Sequence, residues 1–190
     1  VALIIVMAIT ASFLYPEDPF RLVGKPLSKP LTNGFLLGSD SLGRDVASGI
    51  VHGAKTSLLI GFVATLVSVF IGIFFGAFAG YFGGLIDDIL MRVTEIFQTI
   101  PSFIFAILLV AIMKPSMSSI VIAIAVVSWP GVARLVRGEF LAVKNREFVQ
   151  ACHTLGMSDL RIMLWEILPN CLSPIIVVGS LMVATAILIE

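Results

Sequence analysis

Charged residues are scarce in this chain of 190 residues. Asp, Glu, Lys and Arg together make up 13% of it, whereas a soluble domain carries about 25%. Apolar residues make up 58%, and the mean hydropathy is +1.09. Such a chain lacks the polar surface needed to face water on all sides, so we expect membrane lipid to be a partner. The formal net charge is zero, so no basic surface indicates a nucleic-acid partner.

Cysteine and histidine are equally rare. Cys152 and Cys171 are too few for a disulfide framework, and neither lies in the spacing of a metal site. His52 and His153 are isolated from each other and from other ligand-type residues. We therefore expect no catalytic residue, no metal and no cofactor bound by this chain.

Long uncharged stretches are what the sequence has instead. Four of them approach or exceed the roughly 20 residues that cross a hydrocarbon core of about 30 Å: Ser57–Phe82, Ile96–Met113, Ser116–Ala133 and Ile167–Ile189. The apolar run Val1–Leu14 is shorter, and we expect it to be part of a truncated helix in a fragment of a longer protein. Backbone groups in lipid must pair internally, which requires helices. The sequence therefore predicts an all-α, multi-span membrane protein with five membrane segments.

These segments suggest a domain organisation. Residues 1–14 would be a partial first transmembrane helix, 15–56 a connection outside the membrane, and 57–190 a core with four spans. Within this core, residues 144–169 form a polar loop, called the 144–169 loop below. Lys and Arg divide equally between the two sides of the predicted spans, so the charge bias leaves the orientation open.

Small residues recur at every fourth position of the first complete span. Residues spaced in this way share one helical face and let a second backbone approach closely, which is how membrane helices associate. We expect this ridge to be a helix-packing surface. Its members are Ala64, Ser68, Gly72, Gly76 and Gly80.

Two prolines, Pro101 and Pro130, fall inside predicted spans. Each removes a backbone donor and favours a kink, which could be a moving hinge or a static feature of the shape. Gln98 lies close to Pro101, and its polar side chain could line a path through the protein.

The 144–169 loop is predicted to contain two short amphipathic helices separated by Gly156, a residue suited to ending a helix. Asp159 would help to start the second helix. The loop could lie on the lipid surface or dock a partner protein, and its periodicity leaves both open. The expected apolar positions are Phe148, Ala151, Cys152 and Leu155 in the first helix and Leu160, Met163, Leu164, Ile167 and Leu168 in the second.

The same loop resembles the EAA loop of ABC-importer permeases. Gln150-Ala151-Cys152, followed by Gly156 and then Ile167-Leu168-Pro169, matches the family pattern of Glu-Ala-Ala, Gly and Leu-Pro. Gln150 replaces the Glu and Cys152 the second Ala, which removes one carboxylate. Three stretches resemble the dipeptide/oligopeptide branch of that family more closely: Leu37–Asp45, Ser128–Arg137 and Glu147–Arg161.

The resemblance implies a five-helix permease core in the bacterial inner membrane. It would be one permease subunit of an importer, paired with a second permease subunit, two cytoplasmic ATPase subunits and a periplasmic substrate-binding protein. ATP and Mg would be bound by the ATPase subunits. Residues 15–56 would be periplasmic, and a sixth span would follow Glu190. The imported substrate would be a di- or oligopeptide, with nickel, glutathione or an antimicrobial peptide as alternatives.

The resemblance also assigns roles within the 144–169 loop. It would form a cytoplasmic coupling helix that contacts an ATPase subunit, and Leu168 and Pro169 would fix its return to the membrane. The expected ATPase-coupling residues are Glu147, Gln150, Ala151, Cys152, Leu155, Gly156, Asp159, Leu168 and Pro169.

Two other classes of protein are less consistent with the sequence. A secondary transporter working alone often has inverted repeats and ionisable groups near the bilayer centre, and neither is visible here. An intramembrane enzyme would need catalytic groups, but Thr65, Ser68 and Ser128 have no evident base near them in the sequence.

Overall fold

The computed structural model describes residues 2–32 and 34–190, and helices dominate this part of the chain. No strand is formed within it, which confirms the all-α class. The chain divides into two compact units, residues 1–59 and 60–190. The helices are α1 (Ala2–Leu14), α2 (Val46–Phe82), α3 (Gly84–Thr99), α4 (Ser102–Met113), α5 (Met117–Val143), α6 (Glu147–Thr154), α7 (Asp159–Arg161) and α8 (Leu168–Ile189), with a π-helical segment, Ile162–Ile167, between α7 and α8.

In the first unit, the connection after α1 is held together by its own backbone. Its two arms exchange hydrogen bonds: the Leu27 N–H donates to the Asp40 carbonyl and the Ser39 N–H donates to the Ser28 carbonyl. Gly38 and Gly43 have φ of +85° and +81°, and a Cβ at either would collide with a carbonyl of the opposite arm. Leu37–Asp45 is one of the stretches that resemble the dipeptide/oligopeptide branch. Both of its glycines are required by the backbone conformation and by the close approach of the opposite arm.

Helix α2 begins at Val46, within the segment 15–56 that was expected to be a connection. The prediction placed the start after Lys55 because a charged residue was taken to mark the end of a polar loop. Lys55 instead lies inside the helix, and its Nζ donates to the Ser12 hydroxyl at 2.7 Å. His52 lies 2.9 Å from the Tyr15 carbonyl through its Nε2. Both polar side chains thus have partners within the first unit.

In the second unit, the small-residue ridge of α2 lies against α5. A Cβ added at Gly72 would stand 2.5 Å from the Val132 Cβ, and one added at Gly80 would stand 2.6 Å from the Phe140 Cβ. At Gly76 the Ala133 carbonyl and the Val136 side chain leave equally little room. Ala64 and Ser68 are buried, and the Ser68 hydroxyl donates to the Ala64 carbonyl at 2.8 Å. The ridge brings two helix backbones together more closely than side chains would allow.

The segment after α2 differs from the prediction. Residues 96–113 were expected to form one span with a kink favoured at Pro101, but two separate helices, α3 and α4, occupy this part of the chain, and α3 already begins at Gly84. The two helices meet at an angle of 83°. Pro101 directly precedes α4 and so lies at the bend between two helices, not inside one. Its missing N–H makes this position favourable for starting a helix and unfavourable for continuing α3.

The buried core of the second unit lies where α2, α5, α6 and α8 meet. Phe140, Val149, Ile162 and Ile167 are almost completely buried there, and the core extends into α8 through Cys171. A smaller apolar cluster joins α2, α5 and α8 at Ile60, Ala64, Ile124 and Ala186. Most of the remaining large apolar side chains are exposed, as expected for surfaces in contact with lipid.

Among the described residues, three helical runs are long and apolar enough to cross a membrane: Val46–Phe82, Met117–Val143 and Asp159–Ile189. The bent pair α3–α4 would make a fourth crossing if it counts as one span, and the apolar helix at Ile4–Leu14 is shorter. The last run begins at Asp159, before the predicted start at Ile167, because the second amphipathic helix of the 144–169 loop continues into α8.

Candidate functional site

The 144–169 loop begins with α6, which is anchored on one side only. The Arg146 carbonyl accepts hydrogen bonds from the Val149 and Gln150 N–H groups and so starts the helix. Val149 has no exposed surface and packs in the core. Gln150, Ala151 and most of Leu155 face outward, and 80% of Leu155 is exposed. The loop therefore presents a mixed polar and apolar surface on a short, fixed helix.

The apolar face expected for α6 is only partly the buried one. Cys152 is half-buried against the core, but Phe148, Ala151 and Leu155 are exposed. The residue that the periodicity missed is Val149, which lies one turn before Cys152 on the same face. Val149 and Cys152 are three residues apart, which is the same helical spacing as that of Phe148 and Ala151. In a helix of eight residues, periodicity therefore could not show which of these two faces is buried.

Gly156 ends α6 in a left-handed conformation with φ of +75°. Its N–H donates to the His153 carbonyl at 3.0 Å, and the Met157 N–H donates to the Cys152 carbonyl at 3.1 Å. These two bonds form a Schellman motif, which glycine favours because it has no Cβ. Met157 packs against the buried core. Gly156 thus sets the direction in which the chain leaves α6.

Tyr81, near the end of α2, contacts the 144–169 loop at several points. Its hydroxyl donates to Asp159 Oδ1 at 2.7 Å and lies 3.4 Å from His153 Nε2. The Lys144 Nζ donates to the Tyr81 carbonyl at 3.3 Å. We call these four residues the Tyr81 cluster. Sequence reasoning missed Tyr81 and Lys144, because such contacts join positions more than sixty residues apart; a lone tyrosine near the end of a Phe-rich span was the only available signal.

The loop returns to the membrane through the π-helical segment Ile162–Ile167. Ile162, Met163 and Ile167 are buried, whereas Leu164 and Trp165 are exposed. Pro169 directly follows the π-helical segment, inside the run Asp159–Ile189, and offers no N–H to the helical hydrogen bonds. Leu168 is half-buried against the core, and Pro169 is exposed. A π-helical segment often occurs at functional sites.

A cavity of about 620 Å³ lies between the α3–α4 bend, α5 and α8. Gln98, Pro101, Ser128 and Gly131 contribute to its lining, together with apolar residues such as Met182. Pro130, the second expected hinge, is almost completely buried and does not line this cavity. Of the three hinge or path candidates, the structure brings Gln98 and Pro101 together and places Pro130 elsewhere.

A second cavity, of about 320 Å³, is charged and lies between α3 and α5. Within it, Arg137 binds Asp87 through two hydrogen bonds, from Nε to Oδ1 at 2.5 Å and from Nη2 to Oδ2 at 2.6 Å. The Asp87 side chain is only 13% exposed. This bidentate geometry ties the two helices together.

Comparison with known proteins supplies the family. Residues 72–189 match the family described as "Binding-protein-dependent transport system inner membrane component". This chain belongs to that permease family. The resemblance drawn from the motifs is thereby confirmed, and the chain is a multi-pass inner-membrane protein of a transport system. The match includes the small-residue ridge from Gly72 onward, both cavities and the whole 144–169 loop.

Several relatives within the family have names of the peptide branch. The chain is 39% identical to the "Di/tripeptide transport system permease protein DppC" of Pseudomonas aeruginosa, over 98% of the chain and 63% of that protein. It is 39% identical to the "Dipeptide transport system permease protein DppC" of Bacillus subtilis, over 97% of the chain and 58% of that protein. It is 38% identical to the "Oligopeptide transport system permease protein OppC" of Escherichia coli K12, over 100% of the chain and 63% of that protein. The chain thus spans about three fifths of the length of these relatives.

Proposed function

We propose that this chain is part of a permease subunit that forms the path for di- or oligopeptides in an ATP-driven importer of the bacterial inner membrane. Its partners would be a second permease subunit, two cytoplasmic ATPase subunits that bind ATP and Mg, and a periplasmic substrate-binding protein. The names of the relatives, at 38–39% identity over nearly all of this chain, support the peptide as substrate.

The observation that carries the proposal is the one-sided anchoring of α6. Val149 fixes the helix to the core, while Glu147, Gln150 and Ala151 remain exposed for a partner. A helix lying on lipid would be expected to have a continuous apolar outer face, but Gln150 and Glu147 interrupt it here. This arrangement suits a helix that inserts into a groove of an ATPase subunit. The remaining coupling residues proposed from the motif are Cys152, Leu155, Gly156, Asp159, Leu168 and Pro169.

The cavity beside the α3–α4 bend supports a translocation path. Its lining combines apolar side chains with the Gln98 amide and the Ser102 and Ser128 hydroxyls. Peptides have polar backbones and varied side chains, so a path needs hydrogen-bonding groups without a strong fixed charge. Motion of α6, transmitted through the core to α5 and α8, would widen or close this space, as in other two-state switches.

The test is co-purification of the ATPase subunit with the full-length protein, comparing wild type with Gly156→Asp. Asp at this position, with φ of +75°, adds a side chain and a negative charge at the end of α6. Gly34→Asp is the matched control, because Gly34 also has a positive φ, of +83°, and open space around it. We expect loss of the ATPase with Gly156→Asp and its retention with Gly34→Asp.

Peptide uptake completes this test. Membrane vesicles containing wild-type protein and its partners should accumulate a radiolabelled dipeptide or tripeptide only when ATP is supplied. Equal loss of the ATPase in both glycine variants would contradict the docking role. Uptake driven by an ion gradient without ATP, or uptake of nickel or glutathione in place of peptide, would contradict the proposed function.

A further inference from the structure

The Tyr81 cluster joins four parts of the chain at a single residue. Tyr81 belongs to α2, Lys144 follows the end of α5, His153 belongs to α6 and Asp159 begins α7. The Tyr81 hydroxyl reaches Asp159, its ring stacks on the His153 ring with centroids 6.3 Å apart, and its carbonyl accepts from Lys144. Tyr81 is therefore bonded to the 144–169 loop both before and after α6.

The two ends of this connection differ in their freedom to move. On the α2 side, Gly76 and Gly80 pack closely against the backbone of α5, so the end of α2 is held firmly. On the loop side, Asp159 and His153 are exposed and flank the left-handed turn at Gly156. A displacement of α6 by a partner would therefore reach α2 through the Tyr81 hydroxyl.

The hydrogen bond from Tyr81 to Asp159 is suited to this task. A hydrogen bond from a hydroxyl to a carboxylate is shorter and about twice as strong as one between neutral groups. The 2.7 Å between the Tyr81 hydroxyl and Asp159 Oδ1 fits that class. A carboxylate that accepts this bond is positioned by Tyr81. The motif had assigned Asp159 to contact with the ATPase, whereas the geometry gives one of its oxygens to an intramolecular bond.

We propose that Tyr81 is a positioning residue that couples movement of α6 to the transmembrane helices through its hydrogen bond to Asp159. This inference rests on the proposed importer function and deepens it. It separates two properties of the loop: the exposed face of α6 docks the ATPase, and the Tyr81 cluster transmits the resulting movement. Loss of the Tyr81 hydroxyl should leave docking intact and uncouple ATP hydrolysis from transport.

The experiment uses the full-length protein assembled with its partners in proteoliposomes. It measures uptake of a radiolabelled tripeptide and hydrolysis of ATP in the same preparation, and reports their ratio. The variants are Tyr81→Phe, Asp159→Ala, Asp159→Asn and the double variant Tyr81→Phe/Asp159→Ala. Thr185→Val is the matched control, because it also removes a hydroxyl, one that donates to the Met182 carbonyl within its own helix.

We expect Tyr81→Phe and Asp159→Ala each to lower the ratio of uptake to hydrolysis by about tenfold. This is the change that corresponds to the free energy of one hydrogen bond to a charged group. The double variant should be no worse than either single variant, because both remove the same bond. Asp159→Asn, which keeps an acceptor oxygen, should retain most of the ratio. Tyr81→Phe should keep the ATPase on co-purification, and Thr185→Val should match wild type in both docking and ratio.

The failures are distinguishable. If wild-type proteoliposomes neither transport the tripeptide nor hydrolyse ATP, the proposed function is wrong and the inference falls with it. If wild type transports and Tyr81→Phe keeps the ratio within twofold, the inference alone is wrong. Loss of the ATPase in Tyr81→Phe would also overturn it, because the role would then be docking. An additive loss in the double variant would show that Tyr81 and Asp159 act separately.

Discussion

Helix α5 presents one face to α2 and another to the α3–α4 bend and α8, and these two faces are packed in different ways. Towards α2, glycines of the ridge bring the backbones of α2 and α5 close together. The ring centroids of Phe75 and Trp129 are 4.6 Å apart. Towards α3, α4 and α8, a cavity of about 620 Å³ remains, lined by Ser128 and Gly131. One face has almost no free volume and the other has room for several side chains.

This difference indicates which contacts can change during transport. Close-packed helices resist relative movement, because any displacement creates either a clash or a void. A face with free volume can rearrange at lower cost. We therefore expect α2 and α5 to move as one body, and rearrangement to occur beside the cavity, at the α3–α4 bend. In this view, Tyr81 connects the loop to the body that is held together most firmly.

The same substitution placed on each face gives the sharpest test of the comparison. Gly76→Ala would place a Cβ 2.7 Å from the Val136 Cβ, so it should lower the free energy of unfolding by about 2–3 kcal/mol. Gly131→Ala meets no atom within 4 Å and should raise it by about 0.5–1 kcal/mol, since alanine favours a helix. Thermal unfolding of the full-length protein in detergent measures both. Equal effects of the two substitutions would show that the faces are not packed differently.

A second test separates the ion pair from its surroundings. Asp87→Ala leaves the half-buried Arg137 guanidinium without its bidentate partner and should cost about 2 kcal/mol. Asp88→Ala, in the next position and exposed, should change the free energy of unfolding by less than about 0.5 kcal/mol. The double variant Asp87→Ala/Arg137→Met should recover part of the loss, because no unpaired charge remains. Denaturation in detergent measures the free energy of unfolding of all three variants. A double variant less stable than Asp87→Ala would contradict the pairing of Asp87 with Arg137.

The sequence predicted the local features of this comparison but not the contacts across it. The four-residue spacing of glycine identified the ridge on α2, because small residues on one helical face have a direct packing consequence. It could not identify α5 as the partner. Helix α3 was missed because only the uncharged stretch from Ile96 onward was predicted to be a span, whereas α3 begins at Gly84 and its Asp87 is paired with Arg137 fifty residues later.

The 144–169 loop shows the same limit. Its helical pieces and the glycine between them follow from local patterns, and Gly156 ends α6 through a local Schellman motif. The buried face of so short a helix depends on what packs against it, so Val149 could not be chosen in advance. The contacts of Tyr81 with Asp159 and Lys144 depend on how α2 and α5 pack together, which periodicity does not encode.

The smallest expected effect concerns the open face. Gln98→Ala removes an exposed amide that lines the cavity, so peptide uptake should fall by about threefold, the value of a weak solvent-accessible hydrogen bond. Its neighbour provides the control: Thr99→Val removes a hydroxyl that donates to the Glu95 carbonyl of its own helix at 3.1 Å. ATP-dependent uptake in proteoliposomes measures both, at several peptide concentrations.

If Gln98 touches the peptide, KM should rise while the ATPase activity measured without peptide stays constant. If Thr99→Val lowers uptake as much as Gln98→Ala does, the effect comes from the bend itself, and the cavity is a static space instead of a path.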